Sequence, residues 1–136
     1  LSPHAIHMRN GTKFGDVKLT DLMLRDGLTD AFSSSAMGVT AHNIAKKYNF
    51  SRQEQDEFAC HSQNKAEAAQ KANRFVDEIL PVSFKKKGAE VRFAQDEYIR
   101  HGTTYEALST LGPAFDKKGS LAAGNSCGVD DASAAF

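Results

Sequence analysis

Apolar residues recur at Ala41, Ile44, Ala45 and Tyr48, the i, i+3, i+4, i+7 spacing that lines one face of a helix. Asn49 follows, a residue that tolerates the left-handed conformation, and predicts the helix end. Ser51-Arg52-Gln53-Glu54 then has the form of a capping box, in which hydroxyl and carboxylate satisfy free backbone donors, and predicts a second helix to about Lys71. Its middle is rich in small residues, Ala59, Cys60, Ser62, Ala66, Ala68 and Ala69, and should pack closely against neighbours. Cys60 reads as one of those packed residues and His61 as a surface or satisfied side chain.

Strand patterns lie on either side. Residues 1–20 alternate polar and apolar around Asn10-Gly11, the dipeptide that favours a type I′ hairpin turn because both residues accept positive φ. A lone hairpin is marginal in water, so Ile6, Met8, Phe14 and Val17 should meet another subunit or fold back on their own domain. Thr20 to Phe32, interrupted at Gly27, predicts a short helical turn. Ile79 to Phe84, with Pro81, predicts an edge strand, and Val91 to Ala94 a partner across the Lys85-Lys86-Lys87-Gly88 turn. Thr103-x-x-Glu106 predicts a second capping box and a short helix ended by Gly112-Pro113; Leu121 to Ala123 reads as a strand. The sum is an α+β chain.

Length and charge narrow the class. A chain of 136 residues fits one domain able to bury about two-thirds of its unfolded surface. With 17 basic and 17 acidic residues and no apolar run near the roughly 20 that a bilayer needs, neither a nucleic-acid nor a membrane surface is expected. Lys85-Lys86-Lys87 is the only basic run, a solvated turn or a weak phosphate attractor. Cys60 and Cys127 fit neither a disulfide scaffold nor a metal spacing, which points to a reducing compartment such as the cytoplasm. Leu1-Ser2-Pro3 lacks a signal peptide and Ala134-Ala135-Phe136 lacks a stop signal, so an excised piece of a longer chain is expected.

Candidate chemistry gathers between Asp96 and Asp131. Arg100 sits among aromatic and glycine neighbours, and Gly124-Asn125-Ser126-Cys127-Gly128 is a small-residue turn where backbone can approach a ligand. The pair suits a long ligand with a charged aromatic head and a thin amide-bearing tail; a solvent loop beside a surface arginine is the plainer alternative. Cys127 has no identified base, His101 being the nearest histidine in sequence, so a cysteine hydrolase finds little support.

The ordered strings Met37-Gly38-Val39-Thr40-Ala41-His42-Asn43-Ile44-Ala45, Ser51 to Asp56, Ser62-Gln63-Asn64-Lys65-Ala66, Asp77 to Val82, Asp96-Glu97, Arg100 and Ala123-Gly124-Asn125 together resemble the thiolases, the acyl-CoA C-acyltransferases. The resemblance is to the loop domain of the N-terminal half and covers almost the whole chain. It implies a tetramerisation hairpin in residues 1–20, with Ile6 to Leu19 at the homotetramer contact, a CoA-binding region in 21–120, and a return strand into a thiolase core in 121–136. Arg100 matches the arginine beside the adenine nucleotide, where a guanidinium can stack on the base and meet phosphate; an ion pair with Asp96 or Glu97 is its other use. Cys127 stands where thiolases usually carry a serine against the pantetheine arm, and a thiol is the weaker hydrogen-bond partner. Leu28, Met37, Phe115 and Ala123 match the apolar tunnel wall, or are plain core.

The same resemblance implies CoA thioesters as substrates, no tightly bound cofactor and no metal. Claisen-type acyl transfer needs a nucleophilic thiolate, a base, a second acid or base and oxyanion donors. The thiolase motifs that supply them would fall before Leu1 and after Phe136, so no catalytic residue is assigned here and the isolated piece should be inactive. Ala36 and Ala107 depart from the pattern, replacing a frequent histidine and a frequent polar CoA contact. The rival expectation is a non-catalytic assembly module with no ligand.

Overall fold

The computed structural model describes residues 3–130, 132 and 134. Strand β1 (His4–Ala5) pairs antiparallel with β2 (Thr20–Asp21), closing a 14-residue excursion. Beyond that closure residues 6–19 form no regular ladder. Asn10 does not adopt positive φ; Gly11 alone does, at 64°, with its N–H on Met8 O at 2.9 Å. The expected type I′ turn is therefore absent at Asn10-Gly11. It is found instead at Lys87-Gly88, with φ of 50° and 85°, between β3 (Val82–Lys86) and β4 (Ala89–Phe93). Lys85 and Lys86 thus belong to a strand, and only Lys87 of the basic run is in the turn.

After a π-helical turn at Met23–Gly27, started by Asp21 Oδ1 accepting from Met23 N–H and Leu24 N–H, come two long helices. Helix α1 (Met37–Tyr48) ends at Asn49, left-handed at φ 58°, so that Phe50 N–H reaches Ala45 O at 2.9 Å. Helix α2 (Arg52–Lys71) opens on both halves of the Ser51–Glu54 capping box. Twenty residues make it roughly 30 Å long. Helix α3 (Tyr105–Ser109) is capped by Thr104, whose hydroxyl accepts from Ala107 N–H; the neighbouring Thr103 hydroxyl bonds Arg100 O instead, so the cap lies one residue beyond the expected one. Leu121 to Ala123 gives a single bridge, Pro113 to Ala122, before a 3-10 turn at Ala123–Asn125, rather than a strand. Residues 131, 133, 135 and 136 of the expected return strand lie outside the described residues.

The apolar core is small. Ala45, Leu108, Leu121 and Ala122 are buried, whereas Phe14 and Phe32 are almost fully exposed. The accessible surface is 11633 Å², against roughly 7,000 Å² for a compact monomer of this length. Just under half of the unfolded surface is buried, not the two-thirds expected, and large apolar side chains stay exposed in loops (Phe14, Phe32, Leu80) and on α2 (Phe58) alike.

What holds α2 to its neighbours is mostly polar. Arg52, Asp56, Cys60, Gln63, Glu67 and Gln70 recur every three or four residues and fall on one stripe of the helix. Each bonds a residue on the chain that crosses it. Asp56 is 1% exposed and is the largest fully buried side chain among the described residues.

Candidate functional site

Arg100 and Cys127 lie on two irregular segments, and α2 holds both. Near the N-terminal end of α2, Arg52 Nε meets Asp56 Oδ2 at 2.7 Å while its Nη2 donates to Leu108 O and Leu111 O, each at 2.9 Å. Asp56 Oδ1 accepts from Asn125 Nδ2 at 2.9 Å. Asn125 Oδ1 in turn accepts from Ala122 N–H, and Ser126 Oγ donates to Ala122 O. The turn before Cys127 is thereby tied to a buried ion pair. A charged acceptor makes such bonds stronger than neutral ones.

Farther along α2, Gln63 Oε1 accepts from Arg100 N–H at 3.0 Å and Glu67 Oε2 from Gly102 N–H at 2.8 Å. Gln70 bonds both Asp96 O and His101 Nε2, and Cys60 Sγ lies 3.4 Å from Thr103 O. Lys71 bonded to Glu67 holds that carboxyl below the usual glutamate range, helped by the Gly102 N–H. The segment from Asp96 to Thr103 is thus fixed at four backbone points and at the His101 ring, while the Arg100 side chain is exposed. Among the described residues no ion pair joins Arg100 to Asp96 or Glu97.

The two segments meet at Tyr98 and Gly128. A Cβ at Gly128 would lie 2.4 Å from the Tyr98 ring, a distance that no side chain can occupy without displacement. Arg100 and Cys127 therefore project from adjoining pieces of chain, both exposed. Phe115 lies flat on Gly38, whose Cβ would fall 2.4 Å from its ring, and Met37 N–H bonds Leu28 O at 3.0 Å. Ala114 N–H to Leu121 O, together with the Pro113–Ala122 bridge, joins the Phe115 turn to Ala123. Met37 and Phe115 are 58% and 47% exposed, so neither is plain core; Leu28 is half-buried and Ala123 exposed.

A cleft of about 940 Å³ runs from the β3–β4 hairpin to Tyr98, Ile99 and Asp130, and so touches both segments. A smaller one of about 350 Å³ is lined by Phe50, Glu54, Gln55, Phe58 and Asn125. None of the six candidate side chains lines either cleft. His101 is engaged by Gln70, and no hydrogen bond from a histidine to Cys127 is formed among the described residues. Nor is there a group of three His, Cys, Asp or Glu placed to hold a metal ion, or a helix long and apolar enough to cross a membrane, among those residues.

Sequence reasoning missed the Arg52–Asp56–Asn125 link and the Gln63, Glu67 and Gln70 anchors. The signal was present in part: these polar residues share a helical face with Cys60, where an amphipathic helix would carry apolar ones.

The helical frame, the hairpin and the pair of anchored segments make up one α+β module. The chain belongs to the thiolase family, whose N-terminal domain model matches residues 2–136. It is 55% identical over 135 residues to an acetyl-CoA acetyltransferase of Rhizobium meliloti, covering 99% of this chain and 34% of that protein. An acetyl-CoA acetyltransferase of Shinella zoogloeoides is 52% identical over the same length, with the same coverage. Among solved structures, the acetyl-CoA acetyltransferase of Bacillus anthracis superposes with a TM-score of 0.86 at 37% identity, over 93% of this chain and 32% of that one. The chain spans about a third of the length of the relatives it matches.

Proposed function

We propose that this chain is the CoA-binding and assembly portion of a thiolase that condenses or thiolytically cleaves 3-oxoacyl-CoA through an acyl-cysteine supplied from outside residues 1–136. Arg100 takes the nucleotide end of CoA, the Cys127 turn takes the pantetheine arm, and Leu28, Met37, Phe115 and Ala123 form its apolar wall. The observation that carries this reading is the flush contact of Gly128 on Tyr98, which sets the Arg100 and Cys127 segments side by side. A ligand with a charged head and a narrow tail can span two such neighbours.

Removing the guanidinium tests it. In the full-length enzyme Arg100→Ala should weaken CoA binding by about 1 kcal/mol or more, the scale of a cation over an aromatic face. Calorimetry that finds CoA affinity unchanged would overturn the assignment.

The excess of exposed apolar surface supports an assembly role for residues 6–19, and tetramer formation is proposed there. It also keeps a second reading in play, an assembly module with no ligand. Saturable CoA binding by the full-length protein separates the two, because the module predicts none.

A further inference from the structure

We infer that Gln63 is a positioning residue for the nucleotide end of the carrier, acting through the backbone of Arg100; the inference rests on the CoA-binding role proposed above. The Arg100 side chain is exposed, and no hydrogen bond to a protein group holds its guanidinium among the described residues. Its direction is therefore set by where its main chain stands. That main chain has two anchors of its own: the N–H on Gln63 Oε1 at 3.0 Å, and the carbonyl accepting from the Thr103 hydroxyl at 2.6 Å. The second is local, to Thr103 three residues away, whose own tie to α2 is the weak contact of its carbonyl with Cys60 Sγ at 3.4 Å. Only Gln63 ties Arg100 itself to the long helix that also fixes the Asn125 turn.

The neighbouring anchors do not duplicate it. Glu67 holds Gly102 and Gln70 holds Asp96 and His101, so the loop on either side stays attached when Gln63 is lost. Losing Gln63 frees the peptide at Arg100 to rotate, and the guanidinium swings with it. The arm-binding turn hangs on Asp56, seven residues nearer the helix start, and is unaffected.

The test uses the full-length enzyme in the thiolytic direction, with either CoA or pantetheine, which lacks the nucleotide, as attacking thiol. Gln63→Leu keeps the size of the side chain and removes the acceptor. It should raise KM for CoA about three- to tenfold, the range of one lost hydrogen bond, and move KM for pantetheine less than twofold. Gln63→Glu retains an acceptor oxygen and should restore KM for CoA to within about twofold of the parent. A merely structural role predicts equal losses with both thiols, and that result overturns the inference. Arg100→Ala run in parallel tells the two ideas apart. If it spares CoA, the CoA-binding reading itself fails; if it impairs CoA while Gln63→Leu does not, only the role of Gln63 is lost. Should Gln63→Leu fail to fold, Gln63→Ala and Gln63→Glu are compared by calorimetry on CoA, and equal affinities overturn it.

Discussion

Asp56 Oδ1 and Asn125 Nδ2 lie 2.9 Å apart although 69 residues separate them in sequence. The carboxylate is almost fully buried, with Arg52 on its other oxygen, and so the small-residue turn is fastened to the least accessible charge in the described structure. Breaking a buried pair by removing one partner is far more destabilising than deleting a surface bridge, since the remaining charge keeps its desolvation penalty.

Asp56→Ala should accordingly loosen residues 120–126 by about 2–4 kcal/mol, somewhat below the fully buried case because Arg52 keeps 28% of its side-chain exposure. Hydrogen exchange at the Ala122 amide, which donates to Asn125 Oδ1, reads this directly. Unchanged protection there would mean that the ion pair does not hold the turn.

Gly128→Ala should push the turn off Tyr98, because its new Cβ would fall 2.4 Å from the ring. Overpacking of this kind costs about 1–3 kcal/mol, and on the proposed function CoA binding by the full-length protein should weaken with it. Adding Tyr98→Ala makes room and should recover part of the stability. A double variant no more stable than Gly128→Ala would contradict the contact.

Cys127→Ser replaces a weak sulfur partner by a hydroxyl at an exposed position of the turn. If the pantetheine arm lies there, KM for CoA should fall about two- to fivefold, the yield of one modest hydrogen bond. A rise or no change, measured by steady-state kinetics, would remove Cys127 from the arm contact.

Acid should release the α2 cap and the Arg100 segment together. Ser51 N–H and hydroxyl bonded to Glu54, and Lys71 and Gly102 N–H bonded to Glu67, hold both carboxyls below the ordinary glutamate value of about 4.5. The unfolded chain therefore binds these protons first as pH falls. The stabilisation is present above that value and is lost as pH drops through the depressed ones. Glu67→Gln should flatten the acid dependence of Gly102 amide exchange, and a variant with the parent's pH profile would refute the linkage.

Local chemistry was legible where it decides local structure. The α1 helix, the left-handed Asn49 and the Ser51–Glu54 box each follow from residues within one or two turns, and the structure forms all three, although of the apolar face Ala41, Ile44, Ala45 and Tyr48 only Ala45 is buried. Asn10-Gly11 failed as a type I′ turn because the excursion around it has no ladder to impose strand twist, whereas β3 and β4 pair over five residues and twist Lys87-Gly88 into that turn. Thr103 failed as a cap because its hydroxyl found Arg100 O, leaving Thr104 to take the helix start. The six candidate residues could be assigned from resemblance, but the side chains that anchor their segments could not. Bonds such as Gln63 to Arg100 span tens of residues and leave no periodic trace beyond a polar stripe.

That stripe makes the length of α2 a geometric quantity. Each residue advances a helix by about 100° and 1.5 Å, so inserting or deleting one between Asp56 and Gln63 would rotate every later grip away from its target while leaving the earlier ones engaged. Lineages of this module should consequently tolerate substitutions in α2 far better than changes in its residue count, with insertions diverted to the β3–β4 hairpin tip.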